Sequence, residues 1–269
     1  MTKEEIISIA EQFCENSKNN YVSDHTAISE ELIGMRIFEA PIFAFGYPDD
    51  ECYTAFKKPE AIGGHFLAPS EWLSSAKTVI AFFLPFTNRI KAANGKNNDW
   101  PADEWLHGRF EGQLFLKELT LHIKSLLEDL GYESFAPSFQ PEFKSGSGSN
   151  KYTSNWSERH IAFACGLGTF GLSKGLITEK GVCGRFSSII TELDLPKNTR
   201  PYKDIYEYCT MCGACIVNCP VAAITMKGKD DAACAAFLDK VMSKHSPRYG
   251  CGKCQVNLPC ESLAPGKQP

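Results

Sequence analysis

Cys209-Thr210-Met211-Cys212-Gly213-Ala214-Cys215-Ile216-Val217-Asn218-Cys219-Pro220 decides how this chain is read. Two residues stand between each of the first three cysteines, three before the fourth, and a proline closes the run. This is the spacing of a cubane iron–sulfur loop, in which three thiolates reach one cluster and the fourth points to another. A second set follows: Cys234, Cys251, Cys254 and Cys260. Eight thiolates match the need of two [4Fe–4S] clusters. Structural zinc also uses closely spaced thiolates, but the proline and the four further cysteines favour iron–sulfur. Interleaving assigns Cys209, Cys212, Cys215 and Cys260 to one cluster, and Cys219, Cys234, Cys251 and Cys254 to the other. Cys260 departs from the pattern, since five residues separate it from Cys254 and Pro259 precedes it instead of following. The chemistry expected of such a module is one-electron transfer.

Four of the 12 cysteines lie outside the module. Cys14 continues the apolar side of an N-terminal helix and reads as a packed small side chain. Cys52 follows an acidic turn and has no assigned role. Cys165 and Cys183 sit beside glycines, where facing a cofactor and being inert, buried thiols are both open readings. The run Gly166-x-Gly168-x-x-Gly171 matches a dinucleotide fingerprint only as a string. That fingerprint follows a strand and opens a helix, whereas here a helix precedes and a strand follows. It reads as a tight turn through which backbone approaches a cofactor or a neighbouring strand.

Upstream, Thr2-x-x-Glu5 is a capping box opening an amphipathic helix over residues 2–17, with Ile6, Ile9, Ala10 and Phe13 on one face. Residues 36–46 read as a strand. Thr78–Pro85 reads as a central strand, apolar without alternation because both faces are covered. Residues 87–104 read as a polar, turn-rich connection. A helix is expected over 108–130 with Gly131 as its cap, then a short strand at 134–136. Lys144-Ser-Gly-Ser-Gly-Ser-Asn-Lys151 reads as a mobile loop over a site. A short helix over 157–164 and two strands within 175–195, joined by a Glu-Lys-Gly turn, complete the pattern. The fold class is α+β, with one domain over residues 1–200 and a small cluster-binding domain over 201–269.

The formal net charge is −4 over 269 residues, which supplies no general attraction to nucleic acid. The longest apolar run, Val79–Phe86, is too short to cross a bilayer. With no secretory signal in view, a cytoplasmic protein with no membrane partner is expected, its thiols reduced unless bound to metal.

Several segments together resemble the epoxyqueuosine reductase family, which is related to the reductive dehalogenases. They are Gly64-His-Phe-Leu-Ala-Pro-Ser-Glu-Trp-Leu73 with the strand from Thr78, the turn Gly166-Leu-Gly168, the stretch through Glu192-Leu-Asp-Leu195, and the paired cysteine motifs. The likeness covers most of residues 37–261. It implies a nitroreductase-like domain holding a cobalamin, followed by a ferredoxin-like domain with two [4Fe–4S] clusters. Electrons from an external low-potential donor would pass through the clusters to cobalt, and a small-molecule or modified-nucleoside substrate would be reduced. The turn residues Cys165, Gly166 and Gly168 would face the cofactor.

Two departures from the family bear on the substrate. Where the tRNA-acting members carry an acid ahead of the Glu-Arg pair, this chain has Tyr152-Thr-Ser-Asn-Trp-Ser-Glu158-Arg159. Tyr152 takes the position of the proton donor, as in dehalogenase-type relatives, or is a surface aromatic beside the loop. The chain also ends eight residues after Glu261, so the resemblance implies a short form without the helical-repeat extension, which leaves tRNA an open question. His65, His107 and His160 could each approach a cofactor, and none is assigned to cobalt. Two alternatives stay open beside the cobalamin enzyme: a ferredoxin-like electron carrier, and a flavin-dependent reductase.

Overall fold

In the computed structural model, which describes residues 1–147 and 150–267, a four-stranded antiparallel sheet lies between two helical layers. In chain order the first elements are helix α1 (Lys3–Asn16), strand β1 (Ile42–Gly46), helices α2 (Cys52–Phe56) and α3 (Pro69–Trp72), strand β2 (Thr78–Pro85), and helices α4 (Asn88–Asn94) and α5 (Asp103–Asp129). Strands β3 (Ser134–Phe135), β4 (Ser145–Ser147) and β5 (Asn150–Ser154), helix α6 (Glu158–Cys165), and strands β6 (Gly168–Phe170), β7 (Leu176–Thr178) and β8 (Gly184–Thr191) follow. The cysteine-rich end holds α7 (Ala214–Val217), the pair β9 (Ile224–Thr225) and β10 (Gly228–Lys229), and α8 (Asp231–His245).

The sheet order is β1-β2-β8-β3. All eight residues of β2 are buried, and alternation sends them to two different cores. Ile80, Phe82 and Leu84 join Phe115, Leu119, Ile123 and Leu127 of α5 and Ile6, Ala10 and Cys14 of α1. Val79 and Ala81 join Ile161, Ala162 and Cys165 of α6. A strand covered on both faces has no solvated side for polar residues, which accounts for its unbroken apolar run. The capping box forms as expected, with Glu5 N–H donating to Thr2 Oγ1 at 3.2 Å and Thr2 N–H to Glu5 Oε2 at 2.7 Å. Gly131 ends α5 with a positive φ of 86°.

Four local expectations are corrected. Residues 36–41 form only isolated bridges, Tyr21 to Arg36 and Phe38 to Phe86, because Pro41 cannot continue a ladder. The stretch 87–104 contains α4, whose Ile90 and Ala93 are buried, and α5 begins at Asp103. Residues 144–151 do not form an open loop: β4 and β5 pair as a hairpin, Ser145 opposite Ser154, while its tip at 148–149 lies outside the described residues. The two strands within 175–195 are not partners. The first, β7, pairs with β6, and β8 enters the main sheet between β2 and β3. No helix among the described residues is long and apolar enough to cross a membrane.

Candidate functional site

The sheet ends in a cavity of about 760 Å³ where β8 begins. Gly184, Arg185 and Phe186 of β8 form its floor, and Trp105, Arg109 and Gln113 of α5 form one wall. Ser157, Glu158 and Arg159 at the start of α6 form another, and Ser145 and Ser154 of the hairpin close over it. Cys219, Cys234, Cys251 and Cys254 complete the lining. The other four cysteines, Cys209, Cys212, Cys215 and Cys260, line a smaller concavity with Gly171, Ile177 and Leu258.

The two quartets are therefore those that the interleaved assignment groups together. Cys260 comes into place despite its odd spacing because the tail is strapped down: Val182 N–H donates to Cys260 O at 2.9 Å, and a Cβ on Gly181 would stand 2.2 Å from Glu261 O. Tight turns set the first loop, with Met211 and Gly213 at positive φ. In the second quartet, Ala223 N–H donates to Cys219 Sγ at 3.2 Å, and Cys234 sits on α8, capped by Asp230. Burial pushes the thiols of Cys251 up to about 11 and of Cys254 and Cys260 up to about 12, so they are thiolates only when a metal displaces the proton. Among the described residues no three His, Cys, Asp or Glu side chains converge on a point as around a single metal ion.

Glu158 carries the unusual electrostatics of the cavity. Its carboxylate accepts hydrogen bonds from Ser138 Oγ and Ser188 Oγ, both at 2.5 Å, and Trp156 Nε1 steadies Ser188 at 3.1 Å. Burial outweighs these bonds and raises its pKa from 4.5 to about 7. The group can thus both hold and release a proton near neutrality. It escapes a reading from sequence because an acid opening a helix is ordinarily a dipole partner.

Tyr152 lies two residues before Ser154 on β5, on the same face by strand alternation, and is 42% exposed; it is not among the residues that line the cavity. Cys165, Gly166 and Gly168, expected to face a cofactor, are not among the lining residues. Cys165 is packed into the core, where a Cβ on Gly46 would stand 2.6 Å from its Sγ. Gly166 ends α6 with φ of 98°. Gly168 lies so close to β7 that a Cβ would meet Ile177 O at 2.1 Å. Gly168 thus serves strand contact, the other branch of the reading, and Gly166 serves the turn. None of the three histidines lines the cavity. His107 is fully buried between Ile28 N–H and Glu111, and His160 packs against Phe56 and Phe170, its pKa lowered to about 3 by burial. His65 Nε2 is buried without a partner among the described residues.

Residues 202–225 match the model of the 4Fe-4S binding domain. Over 212 residues the chain is 27% identical to the epoxyqueuosine reductase of Bacillus cereus, a match covering 71% of this chain and 50% of that protein. It thus spans about half the length of that relative. A solved epoxyqueuosine reductase with an epoxyqueuosine-modified tRNA stem loop superposes over 96% of this chain and 65% of its own, at a TM-score of 0.55 and 18% identity. A catabolic reductive dehalogenase in complex with 3-bromo-4-hydroxybenzoic acid superposes over 83% of this chain and 30% of its own, with TM-score 0.55 and 14% identity. The chain is similar in sequence to the epoxyqueuosine reductases and shares its fold with them and with the reductive dehalogenases.

Proposed function

We propose that this chain is an iron–sulfur oxidoreductase, in which two [4Fe–4S] clusters deliver electrons singly to a cobalamin in the cavity for reduction of a small-molecule or modified-nucleoside substrate. The observation that carries the reading is the wall that Cys219, Cys234, Cys251 and Cys254 share with Glu158 and three arginines. Electrons arriving there are already at the reaction chamber. Residues 1–200 supply the chamber and residues 201–269 the clusters. Cys212 is exposed, which suits the outer quartet to an external low-potential donor in the cytoplasm.

The residues present fit a corrinoid. The volume is in the upper part of the range for organic ligands, and Phe86, Trp105, Trp156 and Phe186 offer broad apolar walls. Such a ring would be held against these aromatic walls, with Gln113, Ser145 and Ser154 available to its edges. When bound, cobalamin supplies a low-potential metal centre for two-electron reduction. The protein would contribute a proton from Glu158, with Tyr152 on the neighbouring hairpin strand as a second donor, and aromatic walls that exclude water. A modified nucleoside is the substrate class suggested by the neighbour bound to a tRNA stem loop. The net charge of −4 lends no support to extended nucleic-acid contact.

The test is anaerobic reconstitution with iron and sulfide, followed by cobalamin. Eight irons and one corrinoid per chain, with an altered corrinoid spectrum, are the expected result. Failure to retain any corrinoid refutes the reading, and a bound yellow chromophore would assign a flavin instead.

A further inference from the structure

Three arginines line the cavity, and none of them is among the arginines paired with carboxylates. Those are Arg36, Arg200 and Arg248. Arg159 donates to Lys174 O at 2.5 Å and has the Asp231 carboxylate in its electrostatic surroundings, which offsets part of its charge. Arg109 and Arg185 have no such balance. Arg109, from α5, donates to the Tyr249 hydroxyl at 2.7 Å and lies over that ring at 4.4 Å. Arg185, from β8, is held at one end by Gln113 Oε1. Its Nε is buried with no hydrogen-bond partner among the described residues. The groups that bear electrostatically on Arg185 are Arg109 and Arg159, both repulsive, and the Tyr249 hydroxyl, and none of them is a carboxylate.

A buried guanidinium is costly unless an anion pairs with it and takes its donors. Arg109 and Arg185 are half-buried, carry no carboxylate partner and repel each other, and so favour a negatively charged occupant. The planar fork of arginine matches a carboxylate or phosphate in both shape and charge. The geometry points to a substrate that is a small organic anion, a carboxylate or phosphate ester, whose charged group is held between Arg185 and Arg109. This rests on reading the cavity as the reaction chamber. Held there, the anion fixes the rest of the substrate between the cysteine wall and Glu158.

The test uses the cluster-reconstituted chain free of corrinoid, titrated calorimetrically with inorganic phosphate and with benzoate at low ionic strength. One site per chain is expected for at least one of them. Arg185→Gln and Arg109→Gln should each weaken it tenfold or more, while Arg89→Gln, on the exposed surface, leaves it unchanged. Weakening of less than twofold in both cavity variants overturns the assignment. Should the variants lose their clusters, the unsubstituted protein still decides: phosphate or benzoate must raise its melting temperature above that in chloride of equal ionic strength, and no rise with either overturns the proposal. A corrinoid's own phosphate is the competing source of the anion. The titration is therefore repeated after loading with cobalamin and with cobinamide, which lacks the phosphate. Binding that persists in both loaded forms supports a substrate anion. Binding abolished by cobalamin but kept with cobinamide gives the arginines to the cofactor and overturns the proposal. If neither corrinoid is retained, the cobalamin reading fails while the phosphate arm still judges the anion site.

Discussion

Replacing Glu158 by glutamine tests whether the cavity holds a proton at neutral pH. Burial raises the carboxyl from 4.5 to about 7 despite two hydroxyl donors. Between those values the folded protein keeps a proton that the unfolded chain releases. Stability therefore falls as pH rises from about 4.5 to about 7, and the loss is complete above that range. The difference corresponds to about 3 kcal/mol. Glutamine keeps the shape without the charge: its amide oxygen accepts from one serine, and its NH₂ donates to the other hydroxyl. The variant should match the unsubstituted protein near pH 5 and exceed it at pH 8 by up to about 3 kcal/mol, on the order of 5–10 °C in melting temperature. Scanning calorimetry of the reconstituted protein under argon, at several pH values, reads this directly. Acid loss of clusters affects both proteins alike, so the quantity of interest is their difference. If that difference does not grow with pH, Glu158 is an ordinary ionised carboxylate and the proton assigned to it does not exist.

Three further substitutions probe the same chamber. Tyr152→Phe should lower viologen-driven turnover of the reconstituted protein while iron content stays unchanged, and normal turnover rejects Tyr152 as a donor. Gly252→Ala meets the Trp105 ring at 1.9 Å on a backbone with φ of 65°. It should cost about 2–4 kcal/mol and displace the Cys251–Cys254 loop, read as loss of four of the eight irons; full iron retention would contradict the packing. Lys253 is fully buried and donates to Asn94 O at 2.7 Å, next in sequence to Cys254. Lys253→Met removes a positive charge beside the inner quartet and should lower one cluster's midpoint potential by on the order of tens of millivolts. Two unchanged potentials in a redox titration followed by electron paramagnetic resonance would show that Lys253 only packs.

The strongest periodicities in the chain correspond to its real elements. Thr2 and Glu5 mark the start of α1, Gly131 marks the end of α5, and the unbroken run of β2 marks a strand with two covered faces. Pairing was harder to read. A Glu-Lys-Gly turn between two apolar stretches looks like a hairpin, but Gly181 lies so close to Glu261 that the turn is committed to the C-terminal strap. That contact spans eighty positions in sequence, and local propensity contains no record of it. The composition of 87–104 misled for a similar reason. Its polar residues surround Ile90 and Ala93, which only the core behind them identifies as a helix face.

The grouping of the cysteines into two quartets was legible because the ligation proposed for them would impose short, fixed spacings. The opposite wall of the cavity obeys no such rule, since Arg109, Glu158 and Arg185 come from α5, α6 and β8. One trace of it does lie in the sequence. Strand β8 has polar residues on both faces although it is interior to the sheet: Arg185, Ser187, Ser188 and Thr191. All four have partners in other elements, Arg185 through Gln113. Ser187 meets Thr120 at 2.9 Å, Ser188 meets Trp156 and Glu158, and Thr191 meets Ser134 at 2.9 Å. A polar residue in a buried strand therefore announces a partner and not, by itself, a function. What separates Arg185 from the serines and the threonine is that one of its buried donors has no partner among the described residues. That distinction exists only in three dimensions, and it makes the arginine end of β8, more than the cysteine motif, the place where this chain's substrate would be chosen.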